Sequence, residues 1–167
     1  MITLNKILCP TDFSTAAEVA FDTAQRLARD GEALLLIVHI VDPASTPTAG
    51  VAPTPGAMGS VPSSEDQRVA MEQGRKELEK VVPADPNIRF DHRLRHGVPA
   101  DEISELAEAE QADLIVMGTH GRSGLKRLLM GSVAETVVRR APCPVLTLRQ
   151  SASTFEDIDE SIDPGES

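Results

Sequence analysis

The segment from Asp113 to Ser132 reads D-L-I-V-M-G-T-H-G-R-S-G-L-K-R-L-L-M-G-S and decides the fold. Asp113 to Met117 has the apolar make-up of a short buried strand. The chain then breaks at Gly118 and Gly121, crosses a basic segment, and reaches Gly131-Ser132 at the start of a helix. The spacing is Gly-x2-Gly-x9-Gly-Ser. A parallel strand that ends in glycine and feeds a helix is where α/β sheets hold anions. Backbone N–H groups are exposed there, the helix dipole favours negative charge, and glycine carries no Cβ to keep a phosphate away. Any one of these glycines alone reads as a turn or cap residue; three of them with a serine on the first helical turn point to an anion site.

Outward from that stretch the pattern is a repeat of strand and helix. Lys6 to Cys9 ends a short strand, stopped by Pro10-Thr11-Asp12. Ser14 or Thr15 can cap the helix that follows, with Thr15 and Glu18 spaced as a capping box. Ala17, Ala20, Phe21, Ala24, Leu27 and Ala28 share one face, and Gly31 ends the helix. Ala33 to Val41 is an apolar run, the mark of a strand covered on both sides. His39 inside it reads as a satisfied core or strand-end histidine.

Residues 43–64 are rich in Pro, Ala, Gly, Ser and Thr and are expected to be a flexible loop, with a flap over the site as the alternative. A second helix is expected from a Ser64–Gln67 capping box to Val82, with Met71, Gly74, Leu78 and Val81 as its stripe. Ile88, Phe90, His92 and Leu94 alternate with charged residues, as in a half-exposed edge strand. His92 and His96 read as surface histidines. Gly97-Val98-Pro99 opens a third helix marked by Ile103, Leu106, Ala107 and Glu110. A last helix runs to Ala141 and buries Val133 or Ala134, Val137 and Val138. Val145 to Leu148 is the final strand. The fold class is therefore α/β, a single-domain open parallel sheet of five strands flanked by four helices.

One domain is expected of 167 residues, and 41% hydrophobic content suffices for a core. With no Trp, no Tyr and four Phe, that core is aliphatic. The net charge is −10. Six acids, Glu156, Asp157, Asp159, Glu160, Asp163 and Glu166, lie in residues 150–167, which read as a disordered acidic tail. With no broad basic patch and almost no aromatic surface for stacking bases, nucleic acid is not expected as a partner. Cys9 and Cys143 read as buried reduced thiols, since neither CxxC nor His spacing accompanies them. No signal segment precedes the first strand, and no apolar run approaches ~18 residues, so membrane insertion is excluded and a cytoplasmic location is expected.

Four motifs in order resemble the universal stress protein family: K-I-L-C-P-T-D-F-S from Lys6, V-H-I-V-D from Val38, G-V-P-A-D-E-I from Gly97, and the long run from Met117 to Leu146. The resemblance covers residues 2–149. It implies a flavodoxin-like sheet of order 3-2-1-4-5 and a homodimer through Val145, Leu146, Thr147 and Leu148. The retained glycine motif is similar to that of the ATP-binding branch, which implies ATP, with Mg or Mn, as the ligand.

Carried over on that resemblance, Pro10, Thr11 and Asp12 line the nucleoside end, and the Ile40 backbone holds the adenine edge. Met117 covers the base or ribose. Gly118, His120, Gly121 and Arg122 bend around the phosphates, and Gly131, Ser132 and Val133 grip them from the helix N-terminus. Ala134 departs from the pattern, standing where some ATP-binding members have a hydroxyl. Independently of the family, open α/β sheets bind ligands where strand order reverses, which for 3-2-1-4-5 lies between the first and fourth strands.

The expected function is an ATP-binding regulatory or stress-resistance protein. Two alternatives stay open, a weak ATP hydrolase or phosphotransferase and a dimeric scaffold without nucleotide. Against hydrolysis, no GK[ST] follows the glycines and no acidic pair is spaced to hold a metal and activate water. His120 as a phosphoryl acceptor and Asp12 as a metal ligand belong to that alternative. Asp12 also reads plainly as a helix-capping carboxylate, and Lys126 and Arg127 as solvated surface.

Overall fold

The computed structural model describes residues 4–45, 63–119 and 130–149. Along them run β1 (Lys6–Pro10), α1 (Thr15–Asp30), β2 (Leu34–Val41), α2 (Ser64–Leu78), β3 (Phe90–His96), α3 (Pro99–Ala109), β4 (Leu114–Gly118), α4 (Ser132–Arg140) and β5 (Val145–Leu148). Among the described residues the five strands form one parallel sheet in the order β3-β2-β1-β4-β5. The chain starts in the middle, builds outward to β3, then returns past β1 to build β4 and β5. The order reverses between β1 and β4.

Two cores follow from the period-two alternation of β2. Leu36 and Val38 turn to one face, where they meet Ile103, Leu106 and Ala107 of α3 and Ala134 and Val137 of α4. Leu35 and Ile37 turn to the other, against Ala20, Ala24 and Ala28 of α1 and Leu78 of α2. Both faces are covered, so the strand has no polar side, as the run from Ala33 to Val41 predicts. The alanine stripe on α1 lets that helix approach the sheet closely.

Polar groups fasten the opposite end of the sheet. The Asp113 carboxylate accepts from the N–H groups of Asn5 and Lys6 at 2.7 and 2.9 Å, tying β4 to β1. The Lys6 ammonium donates to the carbonyl of Glu110 at 2.6 Å and to its carboxylate at 3.1 Å. Arg93 of β3 donates to the same carboxylate at 2.9 Å. Glu110 thus joins α3 to the first and third strands.

Some boundaries differ from expectation. Ser14, not Thr15, caps α1, accepting from the Ala17 N–H at 3.3 Å. The second capping box is Ser63–Asp66, one residue earlier than Ser64–Gln67, because an acid at the third position reaches back to the cap's N–H. α2 ends at Leu78 and Val82 is exposed. β3 starts at Phe90 and runs to His96, with Ile88 buried ahead of it and Phe90 exposed. His92 and His96 are half-buried rather than on the surface, and the His92 ring is bonded to the Val81 carbonyl at 2.8 Å. In α4, Ala134 and Val137 are buried while Val138 is exposed. Within the loop expected over residues 43–64, Pro43–Ser45 forms a single 3-10 turn and Ser64 already belongs to α2. Residues 46–62, and the acidic tail from residue 150, lie outside the described residues.

Candidate nucleotide site

Where β1 and β4 part, the sheet opens at its C-terminal end into a cavity of about 550 Å³, within the range of small-molecule sites. Its floor is the tip of β1, Pro10 to Phe13, and its far wall is Met117 to Thr119. Gly131 to Ala134 stand at one side and Val38 to Asp42 at the other.

The backbone of this cavity is set by strand parity. The Thr11 N–H donates to the Val38 carbonyl at 2.7 Å, so the even positions of β2 turn their peptide groups toward β1. The Val41 carbonyl accepts from Gly97 at 3.1 Å, so the odd positions turn toward β3. β1 pairs with β2 only as far as Pro10 opposite Val38. The peptide groups of Ile40 therefore face the gap beyond the end of β1. In β4, the Thr119 N–H donates to the Leu148 carbonyl at 2.8 Å, which turns Gly118 the other way, toward β1.

α4 presents its N-terminus to the same cavity. Gly131 is its cap residue, and no side chain caps it among the described residues. The Gly131 N–H is taken up by the Thr119 carbonyl at 2.7 Å. The first intrahelical bond runs from the Glu135 N–H to the Gly131 carbonyl at 2.9 Å. The N–H groups of Ser132, Val133 and Ala134 precede that bond, and all three residues line the cavity. They form the positive end of the helix dipole.

The two described glycines of the motif serve different ends. Gly131 has φ −61° and ψ 151°, a region open to any residue, so its backbone does not require glycine. At Gly118 a Cβ would lie 2.8 Å from the Ala16 carbonyl oxygen and 3.0 Å from the Ala16 Cβ. The first turn of α1 presses on β4 there, and packing already demands a missing side chain.

Asp12 does not itself cap α1, a role that falls to Ser14; its Oδ1 accepts from the Ser14 N–H at 3.1 Å and the Ser14 hydroxyl at 2.5 Å and so braces the cap residue. It also lines the cavity. Phe13 follows with φ 63°, a left-handed conformation rare for a bulky residue. His39 is bonded through Nδ1 to the Thr11 carbonyl at 2.8 Å, which satisfies it as expected. Cys9 is buried in the core against α1, and burial pushes its thiol up to about 12; Cys143 is half-buried.

Of the residues singled out from sequence, Pro10, Thr11, Asp12, Ile40, Met117, Gly118, Gly131, Ser132 and Val133 all line this one cavity. His120, Gly121 and Arg122 lie outside the described residues, as do Lys126 and Arg127. Sequence reasoning missed the wall that α2 contributes through Ala70, Gln73, Gly74 and Glu77, together with Phe13 and the α3 residues Pro99 and Ile103. The one available signal was Gly74, a glycine in the buried stripe of an otherwise regular helix. A Cβ there would come 3.0 Å from Val41 and 3.1 Å from the His39 ring. Among the described residues no group of three or more His, Cys, Asp or Glu side chains is placed to hold a metal ion.

Comparison with known proteins agrees with this fold. The chain is 37% identical over 147 residues to the universal stress protein MJ0531 of Methanocaldococcus jannaschii, covering 87% of this chain and 82% of that protein. The solved structure of MJ0577, from the same organism, superposes with a TM-score of 0.72 at 25% identity, over 91% of this chain and all of that one. A universal stress protein solved in complex with cAMP has a TM-score of 0.56 at 23% identity, over 89% of this chain and 98% of that one. Residues 3–149 match the family's sequence description throughout the strand and helix units described above, and the chain belongs to the universal stress protein family.

Proposed function

We propose that this chain belongs to the ATP-binding branch of its family and acts as a nucleotide-responsive regulatory or stress-resistance protein. The observation that carries the reading is the α4 N-terminus, which lines the cavity where strand order reverses and has no side-chain cap among the described residues. Phosphate oxygens would take the N–H groups of Ser132, Val133 and Ala134, which need an acceptor and lie at the positive end of a helix. The adenine edge, with a donor beside an acceptor, would meet the peptide groups of Ile40. Met117, Val38 and Ile103 supply apolar walls for the base.

A structural relative solved with cAMP supports an adenine nucleotide as the ligand class. A divalent cation would arrive with the nucleotide and be held chiefly by phosphate oxygens, since the described side chains offer no metal cluster. His120, Gly121 and Arg122 would complete the phosphate bend. The outer edge of β5, Val145 to Leu148, is where a second copy would add to the sheet to form the homodimer.

The test is the thermal midpoint with and without Mg-ATP, Mn-ATP, ADP, AMP, cAMP and GTP. A ligand at a hundred times its dissociation constant adds about 2.7 kcal/mol, which raises the midpoint by roughly 5–10 °C at this chain length. Gly131→Val places a branched side chain where phosphate would sit, in a backbone conformation valine adopts freely. It should abolish the shift and leave the ligand-free midpoint in place. An unchanged shift in that variant, or no shift with any nucleotide in the parent, overturns the reading. Native mass spectrometry then reads bound nucleotide and dimer mass together.

A further inference from the structure

We propose that His39 is a positioning residue for the nucleotide site, acting through the Thr11 carbonyl to hold the loop that carries Thr11 and Asp12. This rests on the nucleotide reading of the cavity and adds a residue to it.

The loop between β1 and α1 needs holding. Phe13 sits at φ 63°, a conformation that persists for a bulky side chain only when its surroundings over-determine it. Bonds within the loop supply part of that constraint. The Phe13 N–H donates to the Thr11 hydroxyl at 3.0 Å, and Ser14 donates twice to Asp12. These shape the turn but do not fix it to the sheet. Two bonds to neighbouring residues of β2 do. The Thr11 N–H donates to the Val38 carbonyl at 2.7 Å, and the Thr11 carbonyl accepts from the His39 ring at 2.8 Å. Thr11 is thus held on both of its polar backbone atoms, once by backbone and once by side chain.

A carbonyl only accepts, so Nδ1 of His39 carries the proton and the tautomer is set. The ring is fixed from the other sides as well. Phe13 packs on it with centroids 4.4 Å apart and planes tilted 41°. α2 closes over it at Gly74, where a Cβ would reach within 3.1 Å of the imidazole. β2, α2 and the loop therefore meet at one ring, in the wall of the cavity. Removing the donor would free the Thr11 carbonyl, let Phe13 relax from positive φ, and carry Asp12 away from the nucleoside end.

Two variants separate the donor from the ring. His39→Phe keeps an aromatic ring and loses the N–H. His39→Asn loses the ring but places an amide N–H close to where Nδ1 stood. ATP affinity is measured by titration calorimetry on the full chain, with circular dichroism confirming that each variant is folded. His39→Phe should bind about tenfold more weakly, the scale of one lost hydrogen bond, and His39→Asn should recover most of that loss. Gly74→Ala, which pushes on the ring without touching the loop, should also weaken binding. Long-range 15N–1H spectra should show the Nδ1–H tautomer.

If the parent binds ATP and His39→Phe binds equally well, the inference falls and the nucleotide site stands. The same follows if His39→Asn is as weak as His39→Phe, or if the tautomer is Nε2–H. If the parent binds no nucleotide, the site reading fails and this inference with it.

Discussion

Replacing Gly118 by alanine tests whether the glycine at the end of β4 serves a ligand or the fold. The added Cβ would lie 2.8 Å from the Ala16 carbonyl oxygen, 2.9 Å from its carbon and 3.0 Å from the Ala16 Cβ. Two of these are backbone atoms in the first turn of α1, and Ala16 itself is buried. No rotamer change relieves the contact; the helix or the strand tip has to move by several tenths of an ångström. Overpacking of this kind costs about 1–3 kcal/mol. At this chain length each kcal/mol lowers the midpoint by about 2–4 °C, so the expected fall is roughly 2–12 °C. Scanning calorimetry of ligand-free protein reads it directly. Gly131→Val is the control, because its φ of −61° imposes no strain. An unchanged midpoint for Gly118→Ala, with the nucleotide response gone, would refute the packing argument and return the glycine to the ligand.

The thiols and one carboxylate give two further expectations. Cys9 is fully buried, and burial raises its pKa to about 12, so it stays protonated and unreactive toward iodoacetamide at pH 8 until the chain unfolds, whereas half-buried Cys143 labels first. Mass mapping of the alkylated peptides checks this, and rapid labelling of Cys9 in the native state would contradict the burial. For Glu110, the Arg93 and then the Lys6 hydrogen bonds hold its carboxyl below the ordinary carboxylate value. A depressed carboxylate contributes stability above its unfolded pKa and loses it as pH falls through the folded one. Glu110→Gln should therefore lower the midpoint at pH 7, and the gap to the parent should close below about pH 4. A gap independent of pH would show that the residue acts by shape alone.

Much of the fold was legible because its signals are local. The alanine face of α1, the apolar run of β2 and the Pro-flanked β5 each carry their own period or punctuation, and their bounds came out within a residue or so. The α2 cap slipped by one because Ser63 and Ser64 both precede acceptable partners, and only the geometry of Asp66 chooses between them. β3 lacks a buried side strong enough to fix its ends, so the alternation placed it a little early. The nine described site residues named from sequence do share one cavity. Beyond Gly74 the part supplied by α2 was not legible, since Gln73 and Glu77 look like any helix surface until that helix is laid across β2.

The sequence by itself determined that five strand segments, four apolar and one alternating with charge, are interleaved with helices, and that glycines and a serine stand where a strand hands over to a helix. Those are properties of neighbouring residues, fixed by the helical and strand periods and by which residues tolerate a turn. Only the tertiary structure decided which partner each group meets. It gave the missing side chain of Gly118 to α1, set the α4 N-terminus in the cavity wall, and brought His39 to the Thr11 carbonyl across 28 positions of chain. The reason is that close packing and hydrogen-bond pairing depend on distances between segments far apart in sequence, which no local pattern records.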